Sequence, residues 1–259
     1  MFESKGRLAV IQPDNIDRIV VFGDIHGDMR ALREGLGHWK SKDLLVFLGD
    51  YADRGPDGVE VIEGIDALLS RYQDRVIALQ GNHEVYNIDG TPTFSPCTLP
   101  DEAVRKKGSW SAFFGPFSAF VSKLHLSAIL PNRCLFVHGG IGQGIDGVDD
   151  LSAPAGHLKQ DLLWSDPGGD KGSKKSFRGI GSRFGADVTK SALNRIDVKT
   201  LIRSHEPRKA AAGPAFEHND MVITTSSTSI YGGMPFVLVL DVNNFPQSAE
   251  DFRNAAVFL

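Results

Sequence analysis

Apolar residues fall in short unbroken runs, most of which pass directly into a glycine, an acid or a histidine. The clearest is Ile19-Val-Val-Phe22, which continues as Gly23-Asp24-Ile25-His26-Gly27. A β-branched, wholly apolar stretch of this length predicts a strand buried on both faces. Asp24 and His26 then emerge together at the strand end, on a turn that two glycines allow to be sharp. The construction recurs along the chain. Asp43-Leu-Leu-Val-Phe-Leu48 ends in Gly49-Asp50-Tyr-Ala-Asp53-Arg54-Gly55, and Arg75-Val-Ile-Ala-Leu79 runs through Gln80 into Gly81-Asn82-His83-Glu84. Arg133-Cys-Leu-Phe-Val137 delivers His138-Gly139-Gly140, and Thr200-Leu-Ile-Arg203 leads to Ser204-His205-Glu206.

Helical patterns over residues 28–39 and 57–72 separate the first three strands and are long enough for parallel crossovers, so the early chain predicts βαβαβ. Beyond residue 196 the pattern turns strand-rich, with candidates at 200–203, 221–225 and 236–241, which predicts a second sheet packed on the first. Two stretches depart from this order. Residues 89–126 open with Pro92, Pro96 and Pro100 in a turn segment. Trp110, Phe113, Phe114 and Phe117 follow at helical spacing, as core packing or as an apolar wall beside a site. Gly115-Pro116 is expected to interrupt or kink that helix. Residues 168–175, rich in glycine and lysine, predict a flexible loop whose lysines precede Arg178 and can draw in an anion.

In an open α/β sheet the loops at the carboxyl ends of the strands gather on one edge, where sites form. That edge collects Asp24, His26, Asp50, Asn82, His138 and His205, a set of oxygen and imidazole donors without thiolate. Such donors suit a hard or borderline divalent ion, manganese, iron, zinc or magnesium, better than copper(I) or an iron–sulfur cluster. Six are too many for one ion that keeps open positions. With one carboxylate bridging they suit two ions about 3.5–4 Å apart, the arrangement used for in-line phosphoryl displacement.

These residues resemble the serine/threonine-type phosphoprotein phosphatases within the metallophosphoesterases. The resemblance rests on Gly23-Asp-Ile-His-Gly27, Gly49-Asp-Tyr-Ala-Asp-Arg-Gly55, Gly81-Asn-His-Glu84 and His138-Gly-Gly140, in the family's order. Leu162-Leu-Trp-Ser-Asp-Pro167, Arg178-Gly179, Phe184-Gly185, Arg203-Ser-His205 and Tyr231-Gly-Gly233 extend it over nearly the whole chain. It implies an α/β (α+β) fold: a sandwich of two mixed sheets flanked by helices, as one catalytic domain over residues 1–259. It also implies two divalent metals, manganese first, at the strand carboxyl ends. Asp24, His26 and Asp50 would hold one, and Asp50 would bridge to a second held by Asn82, His138 and His205. His83 would be the general acid, held by Asp53; Arg54 and Arg178 would grip the phosphate, and Tyr231 would help position it.

Elementary chemistry agrees with those roles. Two metals bridged by a water bring its pKa near neutrality, and the resulting hydroxide attacks phosphorus opposite the leaving group. An alkoxide leaving from phosphoserine or phosphothreonine is strongly basic and needs a proton, which an imidazole paired with a carboxylate can deliver. Arginine suits the clamp because its planar fork makes two charge-assisted hydrogen bonds and stays ionised. Three functions fit the residues: a protein phosphatase, with phosphotyrosine within its range; a symmetrical dinucleoside tetraphosphate hydrolase; and a non-catalytic phosphopeptide-binding module. The second branch carries Asn-Arg-Gly and His-Ala-Gly where this chain has Asp53-Arg54-Gly55 and His138-Gly139-Gly140, and the third would have lost a ligand or the acid. The first is therefore expected.

Composition adds little beyond consistency. Of 259 residues, 41% are hydrophobic and 23% charged, enough for a large core. With 28 basic and 32 acidic residues the net charge is −4, too slight to imply nucleic acid or an anionic membrane. The amino-terminal residues lack the charge pattern of a secretory signal, no apolar run reaches spanning length, and Cys97 and Cys134 show no metal spacing, so a cytoplasmic protein is expected. Glu206 follows the last histidine where large eukaryotic members have glutamine, and the chain lacks their regulatory tail. It looks like a stand-alone bacterial or archaeal-type member, with a phosphorylated protein or peptide as partner and no regulatory subunit assumed.

Overall fold

A computed structural model describes residues 1–259. Two mixed sheets pack face to face. The five-stranded sheet runs, from edge to edge, Ala256–Phe258, Phe236–Asp241, Arg18–Phe22, Leu44–Phe47 and Val76–Ala78. Its last three strands are parallel, as the βαβαβ pattern predicts, while Phe236–Asp241 pairs antiparallel with Arg18–Phe22. The seven-stranded sheet runs Phe2–Lys5, Leu8–Ile11, Ser127–Leu130, Cys134–Val137, Thr200–Arg203, Val222–Thr224 and Ala215–Glu217. A three-stranded sheet joins Asp166–Pro167, Ser182–Phe184 and Ser173–Lys175.

The period of two along a strand, with a packed layer on each face, explains why Ile19–Phe22 and Leu44–Phe47 contain no polar residue. Ile19 and Val21 pack between the sheets with Val46, Phe136 and Ile202, while Val20 and Phe22 face the helices with Leu45 and Ile62. Each such fully buried side chain stabilises by roughly 1.5–3 kcal/mol. The crossover helices span Met29–Leu36 and Gly58–Arg71. Asp28 caps the first, its carboxylate accepting from the Ala31 amide at 3.0 Å. No helix is long and apolar enough to cross a membrane.

Three expectations change. The 168–175 stretch is not wholly a loop: Ser173–Lys175 pairs antiparallel with Ser182–Phe184. The proline-rich segment contains a helix, Leu99–Lys107, with Pro100 in its first turn, where a missing N–H costs nothing. Helix Trp110–Lys123 runs unbroken through Pro116, because Phe113, Phe117 and Phe120 bury a face on both sides of it. That apolar anchoring outweighs the single lost backbone bond.

The two sheets meet where the first motif loop lies. Asp24 bridges to Ser226, and a Cβ on Gly23 would sit 2.7 Å from the Thr225 carbonyl carbon. Only glycine permits this approach, which brings the strand ends of both sheets to one edge.

Candidate metal centre

The strand-end loops converge as the topology predicts, and Asp24, His26, Asp50, Asn82, His138 and His205 are all buried. Two donor groups form around one carboxylate: His26, Asp50 and His83, and Asp50, His138 and His205. His26 Nε2 lies 3.5 Å from Asp50 Oδ2, and His138 Nε2 lies 3.4 Å from Asp50 Oδ1. Asp50 thus presents one oxygen to each group.

Backbone carbonyls fix the imidazole tautomers. His26 Nδ1 donates to the Ala52 carbonyl and His138 Nδ1 to the Leu48 carbonyl, each at 2.9 Å, which leaves both Nε2 lone pairs free. Burial drives His26 down to about 3 and His138 and His205 well below the usual imidazole range, so all three are neutral near pH 7. His138 Nε2 then lies 2.9 Å from Asn82 Oδ1, one lone pair facing another, with His205 Nδ1 at 3.2 Å. Asp24 Oδ1 accepts from the Ser204 hydroxyl at 2.5 Å and the His205 amide at 3.0 Å, but its Oδ2 is buried without a partner, as is His205 Nε2. Converging lone pairs and orphaned buried donors are costly without a cation and suited to one. The residues therefore fit divalent metal ions.

The acids confirm the crowding. Burial raises Asp24 to about 6 and Asp50 well above the carboxylate range, with Asp24 and Glu84 adding repulsion at Asp50. Asp53, in the same loop, behaves oppositely. Burial would raise it, but the hydrogen bond and charge of His83 and the Thr98 and Leu99 amides outweigh that and hold it low. His83 Nδ1 donates to Asp53 Oδ2 at 2.7 Å, while His83 Nε2 stands 3.9 Å from Asp50 Oδ2.

Arginines and a tyrosine line the rim. Arg54 Nε donates to the Tyr231 hydroxyl at 3.2 Å, and that hydroxyl is 3.4 Å from His26 Nε2. Arg178 Nε donates to Asp166 Oδ2 at 2.7 Å, and its charge reaches His205. The structure thus brings together all eleven candidate residues. Five of them, His26, Asp50, Asp53, Arg54 and His205, hold positive φ, from 48° to 73°. The turns that aim these side chains are strained for residues with a Cβ.

Sequence reasoning assigned no role to several supporting groups. Glu84, in the third motif, accepts from the Asp50, Tyr51 and Gly81 amides and so ties two motif loops together. Buried Arg203 donates to Asp166 at 2.8 Å and to the Gly139 carbonyl. Both lie inside the sequence motifs, Gly81-Asn-His-Glu84 and Arg203-Ser-His205, which are the local signal for them. Phe94 had none: its ring stands 4.3 Å from that of His83, in a segment without a motif. The aromatic stripe makes no ring contact with His83. Phe113 and Phe117 are core, while Trp110 and Phe114 surround Tyr86.

The chain matches the family model described as calcineurin-like phosphoesterase over residues 17–209. A Caenorhabditis elegans protein that carries a serine/threonine-protein phosphatase name is 32% identical over 230 residues, which cover 83% of this chain and 48% of that one. The chain therefore spans about half the length of this curated relative. A Saccharomyces cerevisiae serine/threonine phosphatase structure superposes with a TM-score of 0.81 at 24% identity, covering 99% of this chain and 83% of the other. A cold-active protein-tyrosine phosphatase from a Shewanella species superposes at 0.61 with 16% identity, covering 99% and 83%. At these identities the superpositions show a shared fold.

Proposed function

The chain belongs to the calcineurin-like phosphoesterase family, whose fold implies divalent metal ions, and from that premise we propose a metal-dependent phosphomonoesterase acting on phosphoserine and phosphothreonine in proteins, with phosphotyrosine in its range. The observation that carries the proposal is the sharing of Asp50 between two buried donor groups. Asp24, His26 and Asp50 would hold one ion, and Asp50, Asn82, His138 and His205 the other, with manganese the first candidate. His83 falls within the first group by distance, but its Nδ1 donates to a carboxylate, a partner that suits a proton donor, where His26 and His138 donate to neutral carbonyls, and Asp24 offers an unpartnered carboxylate oxygen to the ion instead. We therefore assign Asp24 to the metal and His83 to the proton. When bound, such a pair of ions supplies a nucleophile from water near neutral pH and counter-charge for the phosphoryl oxygens.

The protein's own groups do the rest. Arg54 and Arg178 bind phosphoryl oxygens in bidentate fashion, and the Asp166 contact orients Arg178. The Tyr231 hydroxyl accepts from Arg54 Nε, steadying that clamp. His83 Nε2–H protonates the departing serine or threonine oxygen, and Asp53 holds the imidazole turned toward it by accepting from Nδ1–H.

Against the dinucleoside branch, the two marker residues now have different weights. A Cβ at Gly139 would lie 2.6 Å from the backbone at Leu163 and Trp164, so glycine there reflects packing. Asp53 touches the acid itself and supports the phosphatase. The test is a panel of phosphoserine, phosphothreonine and phosphotyrosine peptides beside diadenosine tetraphosphate, before and after chelation and Mn²⁺ return. Metal-dependent release of phosphate from the peptides is expected. Preference for the dinucleotide, or full activity without metal, would overturn the proposal.

A further inference from the structure

His83 is held from more than one side. Its Nδ1 donates to Asp53 Oδ2 at 2.7 Å, His26 meets it edge-on at 5.0 Å, and the Phe94 ring covers it at 4.3 Å with 48° between planes. Phe94 belongs to the segment 85–98, which folds back on itself. The Asn87 amide donates to the Thr91 carbonyl at 2.8 Å, the Thr93 hydroxyl to the Val85 carbonyl at 2.8 Å, and Tyr86 bridges to Pro92. The segment's far end reaches the other partner of the pair: the Thr98 and Leu99 amides donate to Asp53 Oδ1 at 2.5 and 2.8 Å. Behind Phe94 stands Tyr86, edge-on at 5.6 Å, itself in contact with Phe117 at 5.1 Å. Phe117 is core, so the phenyl ring rests on the hydrophobic interior through one aromatic neighbour.

We propose that Phe94 is a positioning residue for the general acid, an inference that rests on the role given above to His83. An imidazole with a single side-chain hydrogen bond keeps a broad, soft torsion about Cβ–Cγ. A ring packed against it at this tilt narrows that torsion and keeps Nε2–H pointed at the leaving oxygen, where small misplacements are costly. The phenyl group offers no donor or acceptor, so it cannot compete for that proton. It also keeps water from the His83–Asp53 hydrogen bond, which is stronger in dry surroundings. The ring contacts of Phe94 are to His83 and Tyr86 and to none of the six proposed metal donors, so its effect should appear only where protonation of the leaving group matters.

The experiment compares kcat and KM on a phosphoserine peptide and on p-nitrophenyl phosphate, at fixed Mn²⁺, for wild type, Phe94→Ala, Phe94→Leu, Phe94→Tyr, His83→Ala and the His83→Ala/Phe94→Ala pair, with metal content and Tm measured for each. Phe94→Ala is expected to lower kcat on the peptide roughly 10–10²-fold, and far less on the nitrophenyl ester, whose leaving group hardly needs a proton. Phe94→Leu keeps apolar bulk without a flat face and is expected between Ala and wild type. Phe94→Tyr is expected to restore the rate. Once His83 is alanine, the Phe94 change is expected to cost nothing more. Equal losses on both esters, or a peptide loss that persists without His83, would overturn the role of Phe94 alone. If His83→Ala itself lost equally on both esters, the acid assignment would fall, and this inference with it.

Discussion

Asp50 and Asp53 share one loop and one fate, burial, yet end as opposites. Asp50 is pushed up by burial and by the nearby Asp24 and Glu84, which one hydrogen bond from the His83 amide does not offset; Asp53 is pulled down because His83 and two amides already satisfy it. The difference separates two kinds of buried charge. One region is incomplete and stores electrostatic repulsion that an ion from solution would relieve. The other is complete within the chain and keeps its partner oriented.

The contrast breaks most severely at Asp50. Asp50→Asn should abolish turnover and empty both metal positions, measured by metal analysis after dialysis; a variant that kept its full metal content would show that Asp50 is not shared. At the complete pair the outcome should be subtler. Asp53→Asn should keep its metal and lose up to about 10²-fold on a phosphoserine peptide, with little change on p-nitrophenyl phosphate. Loss of metal there would merge the two regions into one.

The third comparison is made without metal and reads stability. Folded Asp24 holds its proton up to about pH 6, while the unfolded chain releases it near the ordinary carboxylate value, about 3.9. Between these values the folded state binds more protons, so the contribution of Asp24 falls as pH rises. Chelated Asp24→Asn should therefore gain Tm relative to chelated wild type from about pH 4 to about pH 6, and the gap should then stay level. A gap that narrowed would mean that a resident counter-charge was missed. The smallest effect belongs to the rim. Tyr231→Phe removes one hydrogen bond to Arg54 and should raise KM about 2- to 10-fold with kcat nearly unchanged.

Much of the arrangement was readable because backbone approach demanded particular residues. Gly23 cannot carry a Cβ beside Thr225, and strands buried on both faces are mostly apolar, so the motif loops and central strands stood out. The hairpin of Phe2–Lys5 and Leu8–Ile11 did not, since its outer strand is mostly exposed and free to be charged. Pro100 looked like a turn and instead opens a helix, a difference that lies in the residues after it. Ser204 meets Asp24 across 180 positions of chain, and Phe94 meets His83 through a segment whose course depends on Tyr86 and the core beyond. Such contacts have no local pattern to announce them.

The left-handed backbone at His26, Asp50, Asp53, Arg54 and His205 sets a trade between endurance and work. Each such residue forfeits roughly 1–2 kcal/mol that glycine would recover, in a molecule whose whole margin is expected to be about 5–15 kcal/mol. Under selection for heat tolerance alone, with no substrate to turn over, the lineage would be free to drift toward glycine at these five positions, as at the chain's other left-handed residues. Its descendants would be hardier and inert.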